Sequence, residues 1–309
     1  MSPSTCEPPD PSVSRVFAVV GPTAAGKSDL AVLLAQAVGG EIVNADSMQL
    51  YAGMDVGTAK LTAAEQQGVP HHLLSVWPVT RTATAADYQR ECRAVVDGLL
   101  AAGRTPVLVG GSGLYLRAAL DRMDFPGTDP VLRASLEAEL ERDVALALHV
   151  RLTGLSPEAA ARMEPTNGRR TVRALEVVML TGSMPGELAT YEAHYDTAYV
   201  GVDRDDLADR IEQRVGRMWA GGLIEEVTGL AGLRDGVTAS RALGYAQVLG
   251  VLDGRWTLEQ ARALTVTATR RFARRQRGWF RRDPRITWLD AAALSPAAQL
   301  DAALAAARA

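Results

Sequence analysis

The chain has 309 residues, 47% of them hydrophobic and 22% charged, with a formal net charge of −3. That is enough chain for two domains, or one domain with a sizeable insertion, and it excludes low-complexity disorder and collagen-like repeats. No apolar run reaches the roughly 18 residues a membrane helix needs, and the mildly acidic total argues against a polyanionic partner until the charge is located along the chain.

Residues 1–14 are rich in Pro and Ser and lack an apolar stretch of signal-peptide length, so a disordered tail is expected there. Val16 to Val20 is a continuous apolar run, the pattern of a strand buried on both faces. A Gly-containing loop follows, then helical periodicity from about Lys27 to Val38, and a second strand over Glu41 to Asn44. Ala85 to Ala102 reads as helix, and Pro106 to Val109 as a buried strand closed by Gly110-Gly111. Beyond Leu120 the pattern turns helical. Asp129-Pro130 and Ser156-Pro157 read as helix starts, and Arg169 to Leu180 continues in helix. Ala198 to Val202 resembles a returning strand, and a long helix opens at Asp205. Strands alternating with helices predict an α/β fold with a parallel-sheet core spanning 15–120 and 199–309, an all-helical insertion at 121–198 and a mostly helical C-terminal third.

Charge placement overturns the impression left by the total. Of 33 basic residues only Lys27 and Lys60 are Lys, so both positions suggest a local requirement. Between Arg262 and Arg285 lie nine Arg and one acid, Asp283, a local +8 that leaves −11 on the remainder. Such a division is associated with polyanion binding, the alternative being a solvated Arg-rich helix. Cys6 and Cys92 lie far apart with no CxxC, so a reducing, cytoplasmic compartment is expected. His71-His72 lack further His or Cys ligands, which favours a structural role over a metal site.

Gly21-Pro22-Thr23-Ala24-Ala25-Gly26-Lys27-Ser28 matches GxxxxGK[ST], with a strand before it and a helix after it. Such a P-loop turns backbone N–H groups and a helix N-terminus toward a diphosphate; Lys27 adds mobile charge, and the Ser28 hydroxyl is placed to ligate Mg²⁺. The strand Val107 to Val109 runs into Gly110-Gly111-Ser112 without an acid where a Walker-B carboxylate would stand. The motif therefore implies a bound di- or triphosphate and does not by itself imply phosphoryl transfer. Asp46 follows the second strand, where doubly wound sheets bind ligands, and could ligate a metal, accept a proton or cap a turn. Gly53 to Lys60 has the composition of a shaped loop over a polar ligand.

Together, GPTAAGKS, NADSMQLYAGMDVGTAK, PHHLL, VLVGGSGLY, RRTVRALEV, RIEQR, SRALGY and TRRFARRQRGWFR, in this order, resemble the tRNA dimethylallyltransferase family over about residues 16–290. The resemblance implies transfer of a dimethylallyl group from dimethylallyl diphosphate to N6 of adenosine 37, in tRNAs reading codons that begin with U. It implies that Gly21, Pro22, Thr23, Ala24, Ala25, Gly26, Lys27, Ser28 and Ser112 hold the diphosphate, and that Asp46 is a general base assisted by Lys27, Thr23 and Arg214. Asp46, Ser47, Met48, Gln49 and Ser112 would meet the target adenine. Arg169, Arg170, Arg173, Arg241, Gly244, Tyr245, Arg274, Arg275, Gln276, Arg277 and Arg281 would contact the anticodon stem-loop. Trp279 and Phe280 could stack on RNA or pack in the core. The implied enzyme is of the bacterial type, uses Mg²⁺ and is monomeric. It departs from the family pattern at Ser112 (usually Thr), at Ser75 (often Asp) and at Leu61 (commonly Pro). A small-molecule kinase would leave the basic segment and the missing acid unexplained. A free-adenylate prenyltransferase would have no use for the insertion, and a noncatalytic RNA-binding module none for Lys27, Ser28 and Asp46.

Overall fold

The computed structural model describes residues 15–184 and 191–307; the expected tail at 1–14 lies outside them. β1 (Val16–Val20) sits inside a parallel sheet between β4 (Pro106–Gly110) and β5 (Thr197–Asp203). β2 (Glu41–Asn44) pairs with β4 and with β3 (His71–His72), and β6 (Ile286–Asp290) pairs with β5. The order is β3-β2-β4-β1-β5-β6. Side chains of β1 alternate between two cores. Val16, Ala18 and Val20 pack with Leu50, Tyr51, Trp77, Tyr88 and Leu108, while Phe17 and Val19 pack with Leu30, Leu34 and Ile211. This is the two-sided burial that its unbroken apolar run requires.

α1 (Lys27–Val38), α2 (Ala85–Ala101) and α3 (Gly113–Leu120) belong to this half of the chain. The inserted unit spans 123–191, narrower than the 121–198 that the sequence pattern predicts. The difference lies in the connectors: Asp121 and Ala193 form an antiparallel bridge, and residues 192–198 return with the α/β unit. The insertion contains α4 (Pro130–Arg142), α5 (Ala145–Leu155), α6 (Pro157–Ala161) and α7 (Gly168–Thr181), around Leu136, Leu148, Leu152 and Leu175. Asp129 and Ser156 cap their helices with side-chain oxygens ahead of Pro130 and Pro157.

The C-terminal part holds α8 (Leu207–Ala220), α9 (Leu223–Gly229), α10 (Tyr245–Leu252), α11 (Leu258–Phe280) and α12 (Pro296–Ala306). A reciprocal capping box between Thr257 and Gln260 starts α11. The expectation of helix there omits β6, whose five residues follow α11 closely and extend the sheet. Among the described residues no helix is long and apolar enough to cross a membrane.

Candidate active site

The carboxyl ends of β1, β2 and β4 converge, the position at which parallel sheets bind ligands. The phosphate loop leaves β1 at Gly21, where a Cβ would lie 2.2 Å from the Val202 carbonyl oxygen of the neighbouring strand. Gly26 enters α1 with φ +103°, a conformation that favours glycine. Ala24 holds φ +66°, and its carbonyl accepts from Arg210 Nε at 2.9 Å. Lys27 Nζ donates to the Pro22 carbonyl at 2.7 Å, folding the lysine over the loop. Its pKa is lowered to about 8, first by removal from water and then by the nearby Arg214 cation, while Asp46 opposes the shift. Removal from water also lowers the Arg214 pKa, again opposed by Asp46. Lys27, Arg214 and Asp46, the charged residues among the four catalytic ones that the resemblance implies, therefore share one electrostatic neighbourhood.

Arg210, Arg214 and Arg217 stand at i, i+4 and i+7 on α8, so one helix face carries all three, while Leu207, Ile211 and Val215 are buried. That arginine face lines a cleft of about 670 Å³ together with Ala24, Gly26, Lys27 and Ser28. Arg210 and Arg217 are additions to the expected site residues; the same helical spacing in the sequence marks them. Asp29, Asp55 and Glu65 also line this cleft, but the cations gathered beside the P-loop and the α1 N-terminus suit a phosphorylated anion.

Asp46 stands in a turn organised by Asn44, which is buried. The Asn44 amide donates to the carbonyls of Asp46 and Leu73, both at 3.0 Å, and its Oδ1 accepts the Asp46 N–H at 2.9 Å. Asp46 Oδ1 accepts the Met48 N–H at 2.9 Å; its Oδ2 has no hydrogen-bond partner among the described residues. One carboxylate oxygen thus holds the turn, and the other is open to a ligand. Ser112 Oγ accepts the Ser47 N–H at 3.1 Å, so serine at this position keeps the hydroxyl contact between the two loops.

The loop from Asp55 to Lys60 is fixed from below. Glu226 Oε2 accepts the Asp55 and Val56 N–H groups at 2.9 and 2.7 Å, and its Oε1 accepts that of Gly57 at 3.1 Å. The Thr58 carbonyl accepts from both Gln49 Nε2 and Arg214, each at 3.1 Å, and thereby ties the Gln49 amide to the cleft arginine. Lys60 also lines the cleft, with its ammonium tied down by donation to Asp55 at 2.7 Å and to Ser75 at 2.8 Å. Ser75, a departure from the family pattern, is therefore a partner of the second lysine.

Several residues expected to meet RNA have other duties. Tyr245 is fully buried and its hydroxyl donates to Glu226, because the helix start at Gly244 turns the ring inward. The Gly244 N–H donates to Gln247 Oε1 at 2.8 Å. Gln276 is 5% exposed, with its amide bonded to Thr23 and Gly111. Arg277 and Arg281 bond to Asp203, at 2.7 and 3.0 Å. Burial alone would raise the Asp203 pKa, but these hydrogen bonds hold it below the usual range. Arg285 pairs with Asp121 and Asp283, and Arg270 with Glu212. Phe280 is in the core, and Trp279 packs where a Cβ on Gly113 would lie 2.2 Å from its indole.

Arg271, Arg274 and Arg275 form an exposed stripe on α11, and Arg262 is exposed nearer its start; none has an acidic partner among the described residues. Arg241 is also exposed. In the inserted unit Arg169 and Arg170 are exposed, whereas Arg173 donates to buried Glu176 at 2.6 Å and to the Pro126 carbonyl at 2.8 Å. His71 and His72 form β3; their rings bond to the Val69 carbonyl and to Glu41.

Fold and site together define a P-loop α/β protein with a cation-lined cleft, a partly open carboxylate and arginine-rich surfaces elsewhere. A family model described as IPP transferase matches residues 49–283, and the chain belongs to the IPP transferase family. It is 64% identical over 278 residues to a tRNA dimethylallyltransferase of Parafrankia sp. (strain EAN1pec), covering 89% of this chain and 87% of that one. A tRNA dimethylallyltransferase of Streptomyces coelicolor is 61% identical over 284 residues, covering 90% and 91%. Among solved structures, the full-length tRNA isopentenylpyrophosphate transferase from Bacillus halodurans matches with a TM-score of 0.71 at 36% identity, over 96% of this chain and 97% of that one. A eukaryotic dimethylallyltransferase solved acting on tRNA matches with a TM-score of 0.78 at 26% identity, over 90% and 74%.

Proposed function

We propose that this chain is a tRNA dimethylallyltransferase that joins C1 of dimethylallyl diphosphate to N6 of adenosine 37 in the anticodon loop and releases diphosphate. The observation that carries this reading is the electrostatic proximity of Asp46 to Lys27 and Arg214, which line the cationic cleft, with no Walker-B acid at the end of β4.

The adenine must leave its stack for N6 to reach the site. An exocyclic amine conjugated to a purine is a weak nucleophile, so loss of its proton as the new N–C bond forms favours attack. Asp46 Oδ2 is the acceptor for that proton, and Oδ1 keeps the carboxylate oriented through the Met48 N–H. The Gln49 amide nitrogen is committed to Thr58 and Ala59, so its Oε1 is the atom left to accept a hydrogen bond from the base. As the C1–O bond breaks, negative charge grows on the diphosphate, and the loop amides with Lys27, Arg210, Arg214 and Arg217 are arranged to meet it.

Magnesium suits this cleft, where Ser28 supplies a hydroxyl beside the phosphate loop and diphosphate oxygens would supply most ligands. Its contribution would be further neutralisation of the leaving diphosphate. Arg169, Arg170, Arg241, Arg271, Arg274 and Arg275 are among the exposed charges available to the anticodon stem-loop backbone.

Purified protein incubated with Mg²⁺, labelled dimethylallyl diphosphate and either tRNA or AMP tests the assignment. Label is expected in tRNA and not in AMP; the opposite pattern would overturn the reading. In the same assay Asp46→Asn is expected to bind tRNA normally and to lose most turnover, at least about a hundredfold. Unchanged turnover would remove Asp46 from the base role.

A further inference from the structure

We infer that Gln276 is a positioning residue that sets the spacing between the phosphate loop and the loop carrying the base, and that it does not contact tRNA. Its side-chain Oε1 accepts the Thr23 N–H at 2.9 Å, and its Nε2 donates to the Gly111 carbonyl at 2.9 Å. Flipping the amide would set donor against donor and acceptor against acceptor, so the two backbone groups fix its orientation. A Cβ on Gly111 would lie 2.2 Å from Gln276 Nε2, so glycine there is what lets the amide pass between the strands.

The link continues into the site. Residue 112 follows Gly111, Ser112 Oγ accepts the Ser47 N–H at 3.1 Å, and Asp46 is the residue before Ser47. A single buried amide thus joins the diphosphate cradle at the end of β1 to the carboxylate loop through the end of β4. With both of its polar atoms satisfied inside the protein, breaking either bond leaves a buried group unpaired. The loops are therefore held at one separation rather than sliding past each other. The same stretch of α11 presents Arg274 and Arg275 outward, so the helix carries tRNA-facing charge on one side and loop spacing on the other.

This inference rests on the transfer reaction proposed above. It separates from simple RNA contact because loss of spacing misaligns N6, C1 and the leaving group after both substrates are bound. Gln276→Glu keeps the acceptor for Thr23 and removes the donor for Gly111; Gln276→Ala removes both. Steady-state dimethylallyl transfer and equilibrium tRNA binding without dimethylallyl diphosphate are measured for both, beside wild type. The expected result is kcat reduced by about tenfold or more with tRNA affinity within about twofold of wild type. Gly111→Ala attacks the same hydrogen bond from the opposite side and is expected to give the same signature, which keeps the test available if a Gln276 variant does not fold. A tRNA affinity lowered about tenfold with kcat unchanged would assign Gln276 to RNA and overturn the inference, as would wild-type values throughout. Wild-type protein that fails to prenylate tRNA would count against the proposed reaction itself.

Discussion

Lys27 is one of only two lysines in a chain that otherwise uses arginine, and its environment gives chemical content to that choice. Arginine stays charged at any accessible pH, whereas this buried ammonium is brought down to about 8 by desolvation and by Arg214. Below that pH the ammonium is present and binds the diphosphate; as pH rises through it, the charge is lost from the free enzyme and affinity falls. Dimethylallyl diphosphate binding, measured by calorimetry at pH 7 and pH 9, should weaken by about tenfold in wild type and stay nearly constant in Lys27→Met. Equal wild-type affinity at both values would contradict the assignment. The phosphate loop was legible in the sequence because its spacing is local, eight consecutive residues between a strand and a helix. The Asn44 bond to Leu73, the Glu226 anchor and the Gln276 bridge were not legible, since each reaches backbone groups far away in sequence that meet only in the folded chain.

At the level of elements, α11 shows what a sum of charges conceals. Read as a run, Arg262 to Arg285 is one +8 surface. Folded, the 3.6-residue period sends Thr265, Thr269, Ala273, Gln276 and Phe280 inward and Arg271, Arg274 and Arg275 outward, while Arg277 and Arg281 turn to Asp203. These groups should respond differently to neutralisation. Replacing Arg271, Arg274 and Arg275 with Gln should weaken tRNA binding and reduce the slope of log affinity against log salt by about 0.7 for each phosphate that is no longer neutralised. Replacing Arg277 with Gln should instead lower thermal stability, by about 1–2 kcal/mol, because Asp203 loses one of its partners. An unchanged salt slope in the triple variant would count against the stripe as an RNA-binding surface. Helix faces of this kind could have been read from spacing, as could the Arg210, Arg214, Arg217 row on α8. The short strands are harder: β3 is a His-His pair defined only by its register with β2, and β6 is five residues whose one local mark is the Asp283-Pro284 breaker that ends the helix before it.

For the whole molecule, a parallel sheet places the anion cleft and Asp46 together at its carboxyl edge, and the inserted unit has its own core around Leu136, Leu152 and Leu175. The existence of that unit was readable from helix caps at Asp129 and Ser156. Its limits were not, because the connectors at Asp121 and Ala193 pair with each other, and a two-residue bridge leaves no local pattern. The near-neutral total charge likewise says little, since Asp203, Asp121 and Glu176 consume arginines inside the protein and leave a smaller cationic surface outside. The central claim is that this surface and the cleft serve one reaction at one nucleotide. Mapping the modified nucleoside in tRNA treated with the protein, Mg²⁺ and dimethylallyl diphosphate tests it most directly. The account predicts N6-dimethylallyladenosine at position 37 and no product on the same tRNA carrying guanosine there; product at another position, or undiminished transfer to the guanosine-37 tRNA, would contradict it.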